Sequence, residues 1–510
     1  MFVLLLDRHL LFFFSISDEK KRCVRMHFDW LDAFVVLLYF ALVLYSGWTT
    51  GKKNQDSHEF FLAGRTLSWI PLSLSIVATE TSALTFLAVP GIAFAGNFTF
   101  LQVVLGYIFG RTIVAFFLLP LTYHGGFMSV YEWVGKKFGR NSQRTMSALF
   151  STTRILGDGV RLYASTLPIA LLLELVLARR FPNMISSYWI GTLSLVIITL
   201  VTLAYTMQGG FRSVVWVDTL QYFVYIFGGV FAFGLLFYEI PDSKASFLQA
   251  WEAGKFRFIE WQKPTATYFF PWAVIGGALL SLGTHGADQM FIQRALAAKN
   301  LNAAKKAMIV SGIAVFVQML LFLGIGTLLY FHYSGKPIHQ DKVFSEFLIE
   351  EVPSPLIGLL LSGILASTMS TLSSSINSLS LTAKVDFGWN FLGPKSGSLL
   401  FGILLFLSSF FFFSLPEEKT KGLLELGLKI SSFTVGSMVA VFLVEVIPFF
   451  RKRIITSDLG LSLSLLGAIL STGTLGTVYN LGFTVLVPIG MILFWILAGT
   501  ATFILPRKIH

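Results

Sequence analysis

The sequence has 510 residues, of which 55% are hydrophobic and 13% charged, with 52 Phe and a mean hydropathy of +0.73. That much apolar surface overfills a soluble core, whereas a series of spans of about 20 apolar residues absorbs it. The formal charge of +11 (38 Lys and Arg against 27 Asp and Glu) falls in short segments between apolar runs, which fits membrane topology and argues against nucleic-acid binding.

In chain order, residues 1–25 are apolar but interrupted by Asp7-Arg8, lack a small-residue cleavage site, and end in the basic cluster Lys20 to Arg25. They read as an N-terminal extension outside the fold, not as a signal peptide. Cys23 is the single cysteine, which excludes an internal disulfide and a cysteine metal centre. Residues 26–510 read as a single transmembrane domain. Hydropathy predicts about thirteen spans: 29–48, 70–95, 99–122, 147–177, 187–207, 214–238, 271–293, 307–331, 355–384, 397–414, 427–449, 458–478 and 482–505. With the start outside, the inner loops collect Lys52, Lys53, Arg65, Lys136, Lys137, Arg140, Arg144, Arg212, Arg294, Lys299, Lys305, Lys306, Lys384, Lys395, the Arg451–Arg453 cluster, Arg507 and Lys508. That alternation predicts an outside N-terminus and a cytoplasmic C-terminus.

Two spans carry features that interrupt a helix. The second has a polar centre at Thr79, Glu80, Thr81 and Ser82, followed by Pro90-Gly91; the seventh holds Gly276-Gly277, Gly283, His285 and Gly286. Freed backbone at membrane depth is tolerated where it lines a site. Transporters with inverted repeats place such helices at matching positions in their two halves. Spans two and seven are five apart, which predicts a five-plus-five inverted repeat: a first helix at 29–48, repeat one over 70–238, repeat two over 271–449, and two further helices over 458–505. Plain kinked packing helices are the alternative for either span alone.

Ionisable residues inside spans are functional candidates because burying them is costly. They are Glu80, Arg111, Asp158, Arg161 and Asp218. Asp158 and Arg161 are three apart on one helix face and read equally well as a structural ion pair. The ninth span is rich in hydroxyls, with Ser367, Ser370, Thr371 and Ser374 on one face at i, i+3, i+4 and i+7. Hydroxyls and freed carbonyls suit a hard cation such as sodium, whereas thiolates and imidazoles suit transition metals. Interhelical hydrogen bonding explains the same stripe. No His/Asp/Glu cluster or Ser/His/Asp arrangement points to an enzyme, and the lone intramembrane His285 packs or lines the site.

The segments FFLAGRTLSW, TMQGGFRSVVWVDTLQ, GADQMFIQRALAAKNLNAAKKA and ASTMSTLSSSINS make the chain, over about residues 29–450, resemble the sodium:solute symporter family, as a bacterial member. The resemblance implies the leucine-transporter-type fold and Na+ as coupling ion. Its principal sodium site maps onto the main-chain carbonyls of Ala78 and Thr81, the position of Ser367, and the hydroxyls of Ser370 and Thr371. A further sodium maps onto Asp218, Ser373 and Ser374. Solute-binding positions map onto Thr85, Ser281 and Thr284, smaller residues than those that read a sugar. Glu80, Arg161 and His285 join them as solute candidates: Arg161 suits an anionic solute, and a carboxylate at Glu80 would oppose it.

The expectation is therefore an all-α polytopic membrane protein of the cell (inner) membrane that symports sodium with a small organic solute by alternating access. The solute class is carboxylate, vitamin-like or another small organic molecule; a proton-coupled or uncoupled transporter of the same fold is the alternative. The expected surroundings are the lipid bilayer, with no nucleic acid, no obligate protein partner and no signalling domain after the bundle.

Overall fold

A computed structural model of the chain describes residues 28–51, 56–180, 187–240, 243–262, 268–333, 338, 340, 342–415, 423–479 and 481–505. The expected extension over 1–25 lies outside the described residues, as do Lys52, Lys53, Arg507 and Lys508. Among the described residues the first half holds α1 (Trp30–Gly51), α2 (Ser57–Leu62), α3 (Trp69–Glu80), α4 (Ala83–Ala95), α5 (Leu101–Ile113), α6 (Leu119–Tyr123), α7 (Val130–Phe138), α8 (Arg140–Arg180), α9 (Ser187–Glu239) and α10 (Ser243–Glu252). The second half holds α11 (Phe270–Gly286), α12 (Gln289–Leu296), α13 (Leu301–His332), α14 (Val343–Glu350), α15 (Leu356–Val385), α16 (Pro394–Phe413), α17 (Leu423–Val446), α18 (Pro448–Arg453), α19 (Asp458–Val478) and α20 (Phe483–Ile504).

Among the described residues, nine helices are long and apolar enough to cross a membrane, and the bent pair α3–α4 would make a tenth. The chain is an all-helical, multi-pass membrane protein. α9 runs through two expected spans and turns at Gly210 (φ 56°, ψ −155°), a conformation essentially confined to glycine. α8 covers the expected span 147–177, and α11 with the start of α12 covers 271–293, though neither α8 nor α11 is among those nine.

α15 is the centre of the bundle. Every residue from Leu360 to Ala383 is buried, so the helix is enclosed on all sides and its hydroxyls face protein, not lipid. α9 packs along both α15 and α1, while α3, α8 and α16 close the remaining sides. Large apolar side chains such as Phe109, Phe231 and Ile313 point outward, where lipid tails solvate them.

The two candidate broken spans differ. α3 and α4 bend by 66° about Thr81 and Ser82, which both adopt extended backbone (ψ 97° and 165°). Ser82 then caps α4 by accepting from the Thr85 N–H at 3.4 Å. In the seventh span the chain stays helical through Gly276 and Gly277 and leaves the helix at Ala287 and Asp288, near the C-terminal end of the expected range. The glycines serve contact, not unwinding: a Cβ at Gly277 would lie 2.2 Å from Val103 O, and one at Gly110 would lie 2.3 Å from Ala278 O. Small residues let the backbones of α5 and α11 touch, which is how helices associate where lipid removes the hydrophobic drive.

Candidate ion and solute site

The break in α3 leaves its last carbonyls without helical partners, because the donors that would follow lie in extended backbone. α15 supplies substitutes from its hydroxyl face. Ser370 Oγ donates to Ala78 O at 2.8 Å, and Thr371 Oγ1 donates to Thr79 O at 3.1 Å. The same hydroxyls lie 3.1 and 3.3 Å from Ser367 O on their own helix, while the Ser367 hydroxyl donates to Ile364 O at 2.9 Å. Hydroxyl and carbonyl oxygens from two helices therefore converge at one buried point. Thr81 stands slightly apart: its hydroxyl donates to Val77 O at 2.9 Å and accepts from Gln318 Nε2 at 2.8 Å.

One turn along α15, Ser373 and Ser374 return their hydroxyls to Ser370 O at 3.1 and 2.7 Å. Ser374 also meets Thr79 Oγ1 at 3.1 Å, and Asp218 Oδ2 accepts from Ser75 Oγ at 2.5 Å and Thr79 Oγ1 at 3.3 Å. Into this second oxygen cluster reaches Arg294 from α12. Its Nη2 donates to Asp218 Oδ2 at 2.9 Å, and both residues are fully buried. Arg294 reads in the sequence as an inner-loop cation, and the structure corrects that reading. The segment GADQMFIQRAL is not a solvated loop: Asp288 caps α12 by accepting from the Met290 N–H at 2.9 Å, and the helix packs onto α15 and α3.

The charged residues near the break form two groups. Glu80 pairs with Arg111, which is wholly buried and also donates to Ser311 Oγ at 2.7 Å, while Glu80 keeps 19% of its side chain exposed. In the other group Arg161 donates to Asp158 Oδ1 at 3.1 Å, and Arg154 bridges Asp158 (3.4 Å) to Asp288. Asp158 Oδ2 accepts from Ser375 Oγ. Arg154 is not among the candidates read from the sequence, although its i, i+4 spacing to Asp158 on one helix is the signal that points to it.

A narrow cleft of about 10 Å³, room for about one water, opens beside the break, lined by Ser82, Asp158, Arg161, Leu162, Ser165, Thr368, Thr371 and Leu372. It joins Arg161, whose side chain is 21% exposed, to the Thr371 end of the hydroxyl–carbonyl cluster. Thr85 lies in the first turn of α4, its hydroxyl 3.3 Å from Ser82 Oγ. Ser281, Thr284 and His285 are not brought to this cavity. Ser281 Oγ donates to Tyr107 O at 3.1 Å, Thr284 Oγ1 donates to Leu280 O at 3.0 Å, and His285 is buried against Phe291 with ring centroids 4.6 Å apart.

The sequence profile of the sodium:solute symporter family matches residues 60–467. The human sodium/iodide cotransporter is 26% identical over 69% of this chain and 54% of its own length. The sodium/sialic acid symporter SiaT of Proteus mirabilis is 23% identical over 69% of this chain and 70% of its own. The chain spans only 54–58% of the length of several animal relatives it matches. Among solved structures, a Na+-coupled sialic acid symporter in a substrate-bound outward-open state aligns with a TM-score of 0.75 at 21% identity, covering 94% of this chain and 99% of that one. MHP1, a nucleobase-cation-symport-1 family transporter, aligns in a closed conformation with a TM-score of 0.57 at 16% identity, covering 87% and 95%.

Proposed function

The chain belongs to the sodium:solute symporter family, and on that premise we propose that it is a secondary active transporter coupling inward sodium flow to uptake of a small organic solute. The observation that carries the proposal is the meeting of the Ser370 and Thr371 hydroxyls with the Ala78 and Thr79 carbonyls across the α3 break. Ala78, Thr81, Ser367, Ser370 and Thr371 would hold the sodium through carbonyl and hydroxyl oxygens, the hydroxyls keeping their protons and turning them away from the ion. Neutral oxygen donors suit a hard monovalent cation that must also leave. Because the ligands come from two helices, sodium binding favours whichever conformation keeps α3 and α15 together, and solute and sodium affinities are linked reciprocally.

The solute reading is a small molecule bearing a carboxylate. Arg111 neutralises Glu80, so that carboxylate does not repel an anion. Arg161 holds Asp158 through Nη1 and lines the adjoining cleft, so its remaining guanidinium donors can meet an anion in a conformation that widens the cleft. Vitamin-like and other small organic acids fall within this reading. The topology we assign has thirteen spans in a five-plus-five repeat, an outside N-terminus and a cytoplasmic C-terminus, in the inner membrane.

The test is uptake of a panel of small carboxylates into proteoliposomes under an inward sodium gradient, with potassium as control. Sodium-driven accumulation of at least one supports the reading. Accumulation that follows a proton gradient and ignores sodium replaces it with proton-coupled transport.

A further inference from the structure

α18 stands at one end of the bundle, between the membrane-crossing helices α17 and α19, and none of its six residues is buried. It is nevertheless pinned in place. Phe450 stacks on Trp495 of α20 with ring centroids 4.2 Å apart, Ile454 behind it is buried, and the Ser457 N–H donates to Leu505 O at 2.9 Å. Phe449, Arg451, Lys452 and Arg453 remain exposed, and the Arg453 guanidinium lies over the Phe449 ring at 4.2 Å. The carboxylates that flank α18 in sequence are already engaged. Glu445 is shared by Arg451 at 3.1 Å and Lys137 at 2.9 Å, and Asp458 accepts from the Asn141 and Ser142 N–H groups at 2.9 and 2.7 Å, capping α8. Lys452 and Arg453 form no ion pair among the described residues, so an adjacent pair of cations is left for an anion to neutralise. Beside them the bundle wall is apolar and open: Leu459 and Leu463 on α19 and Ile496, Phe503 and Ile504 on α20 are all exposed.

We propose that α18 is a binding site for an anionic phospholipid, whose headgroup phosphate meets Lys452 and Arg453 and whose acyl chains lie along the exposed faces of α19 and α20. Arginine presents a planar fork to phosphate, and lysine adds a point charge. Basic clusters immediately beside a membrane-crossing helix sit at headgroup depth, where they attract anionic lipid. A free anion would satisfy only the charged end and would compete with salt. A lipid also covers the apolar wall that continues from α18. A zwitterionic lipid brings its own cation to the phosphate, so the pair Lys452 and Arg453 selects net negative headgroups. The site lies outside the sodium cluster and does not depend on which ion drives transport. It ties the ends of α17, α19 and α20 to the composition of the leaflet in which they end.

The experiment follows the thermal unfolding midpoint of the purified full-length protein in a neutral detergent as phosphatidylglycerol is added, with phosphatidylcholine and inorganic phosphate as the other probes. Phosphatidylglycerol gives the wild type a saturable rise that neither of the others reproduces at the same concentration. Lys452→Gln/Arg453→Gln needs about tenfold more phosphatidylglycerol for half the rise. Lys452→Arg/Arg453→Lys, which keeps both charges, follows the wild type. So does Lys299→Gln/Lys395→Gln, which removes two exposed charges elsewhere. Equal responses to phosphatidylglycerol and phosphatidylcholine, or an unchanged curve for Lys452→Gln/Arg453→Gln, overturn the proposal. An equal loss in Lys299→Gln/Lys395→Gln overturns it too, because total charge and not this cluster would then set the response. A rise with inorganic phosphate alone assigns the cluster to a free anion and rules out the lipid. Should Lys452→Gln/Arg453→Gln fail to give monodisperse protein, Lys452→Gln alone decides: a curve displaced to higher phosphatidylglycerol supports the site, and an unmoved one overturns it.

Discussion

A guanidinium buried at the end of a long side chain is stable only with its carboxylate beside it. Arg111 has Glu80 and Ser311 as partners and no exposed surface. Arg111→Leu removes the partner of a mostly buried carboxylate at the α3 break, and breaking a buried pair in this way costs about 3–5 kcal/mol. The expected result is a large fall in thermal stability, with part of it recovered in Arg111→Leu/Glu80→Gln because no unpaired charge remains. Equal stability of the single and double variants would show that the pair does not act as a unit. At Arg161 the expected change is in binding. Arg161→Gln weakens affinity for a carboxylate solute about tenfold, the loss of roughly 1.4 kcal/mol from one charge-assisted contact, whereas Arg161→Lys falls between because it keeps charge without the planar fork. Solute affinity in proteoliposomes checks this, and an unaltered value for Arg161→Gln removes the residue from the solute site. The pairing of Asp158 with Arg161 was legible in the sequence because the two lie one turn apart on a helix. The distant partners of Arg154 and Arg294 were not. Asp288 lies 134 positions from Arg154, and Asp218 lies 76 from Arg294. Nothing in the local pattern says that α12 folds under the bundle, so its arginine reads as one more inner-loop charge.

At the level of elements, glycine carried two meanings that sequence alone does not separate. Gly276 and Gly277 read as breakers, yet the α11 backbone remains helical through them and lies against α5. Gly277→Leu would drive a side chain into the Val103 carbonyl, so the yield of folded, monodisperse protein should collapse. A well-folded Gly277→Leu protein would mean that the two helices do not need this close approach. The end of α15 carries a pH-sensitive contact. Asp386 follows its last residue and accepts from Ser129 Oγ at 2.9 Å, Ser147 Oγ at 3.0 Å and Gln143 Nε2 at 2.8 Å. Burial pushes its carboxyl from the ordinary 3.8 up to about 7, against the lowering effect of those three donors. Between about pH 4 and 7 the folded protein therefore holds a proton that the unfolded chain has lost. This contribution to stability is full below that window, declines across it, and is gone once pH has risen through 7. Asp386→Asn should flatten that part of the thermal-stability profile; a profile identical to the wild type would place the titration elsewhere.

On the scale of the whole molecule, hydropathy was enough to reveal a multi-pass helical protein, because a segment that crosses lipid must satisfy its own backbone groups and a helix of about 20 apolar residues does so. The polar centre at Thr79–Ser82 likewise marked the helix break, since extended residues and a serine cap announce themselves locally. What remained hidden was which oxygens face one another, as packing between residues 292 positions apart leaves no local trace. Thr371 meets Thr79 O, whereas Thr81 turns its hydroxyl to Val77 and Gln318. The central claim is that sodium binds where α3 and α15 meet. It is tested most directly by following the thermal stability of purified protein as sodium replaces potassium at constant ionic strength, for the wild type, Ser370→Ala and Thr371→Ala. The account predicts a saturable, sodium-specific stabilisation of the wild type. Each variant should need about tenfold more sodium for half the effect, equivalent to the loss of roughly 1.4 kcal/mol of ion binding. Identical sodium dependence in all three proteins, each correctly folded, would contradict it.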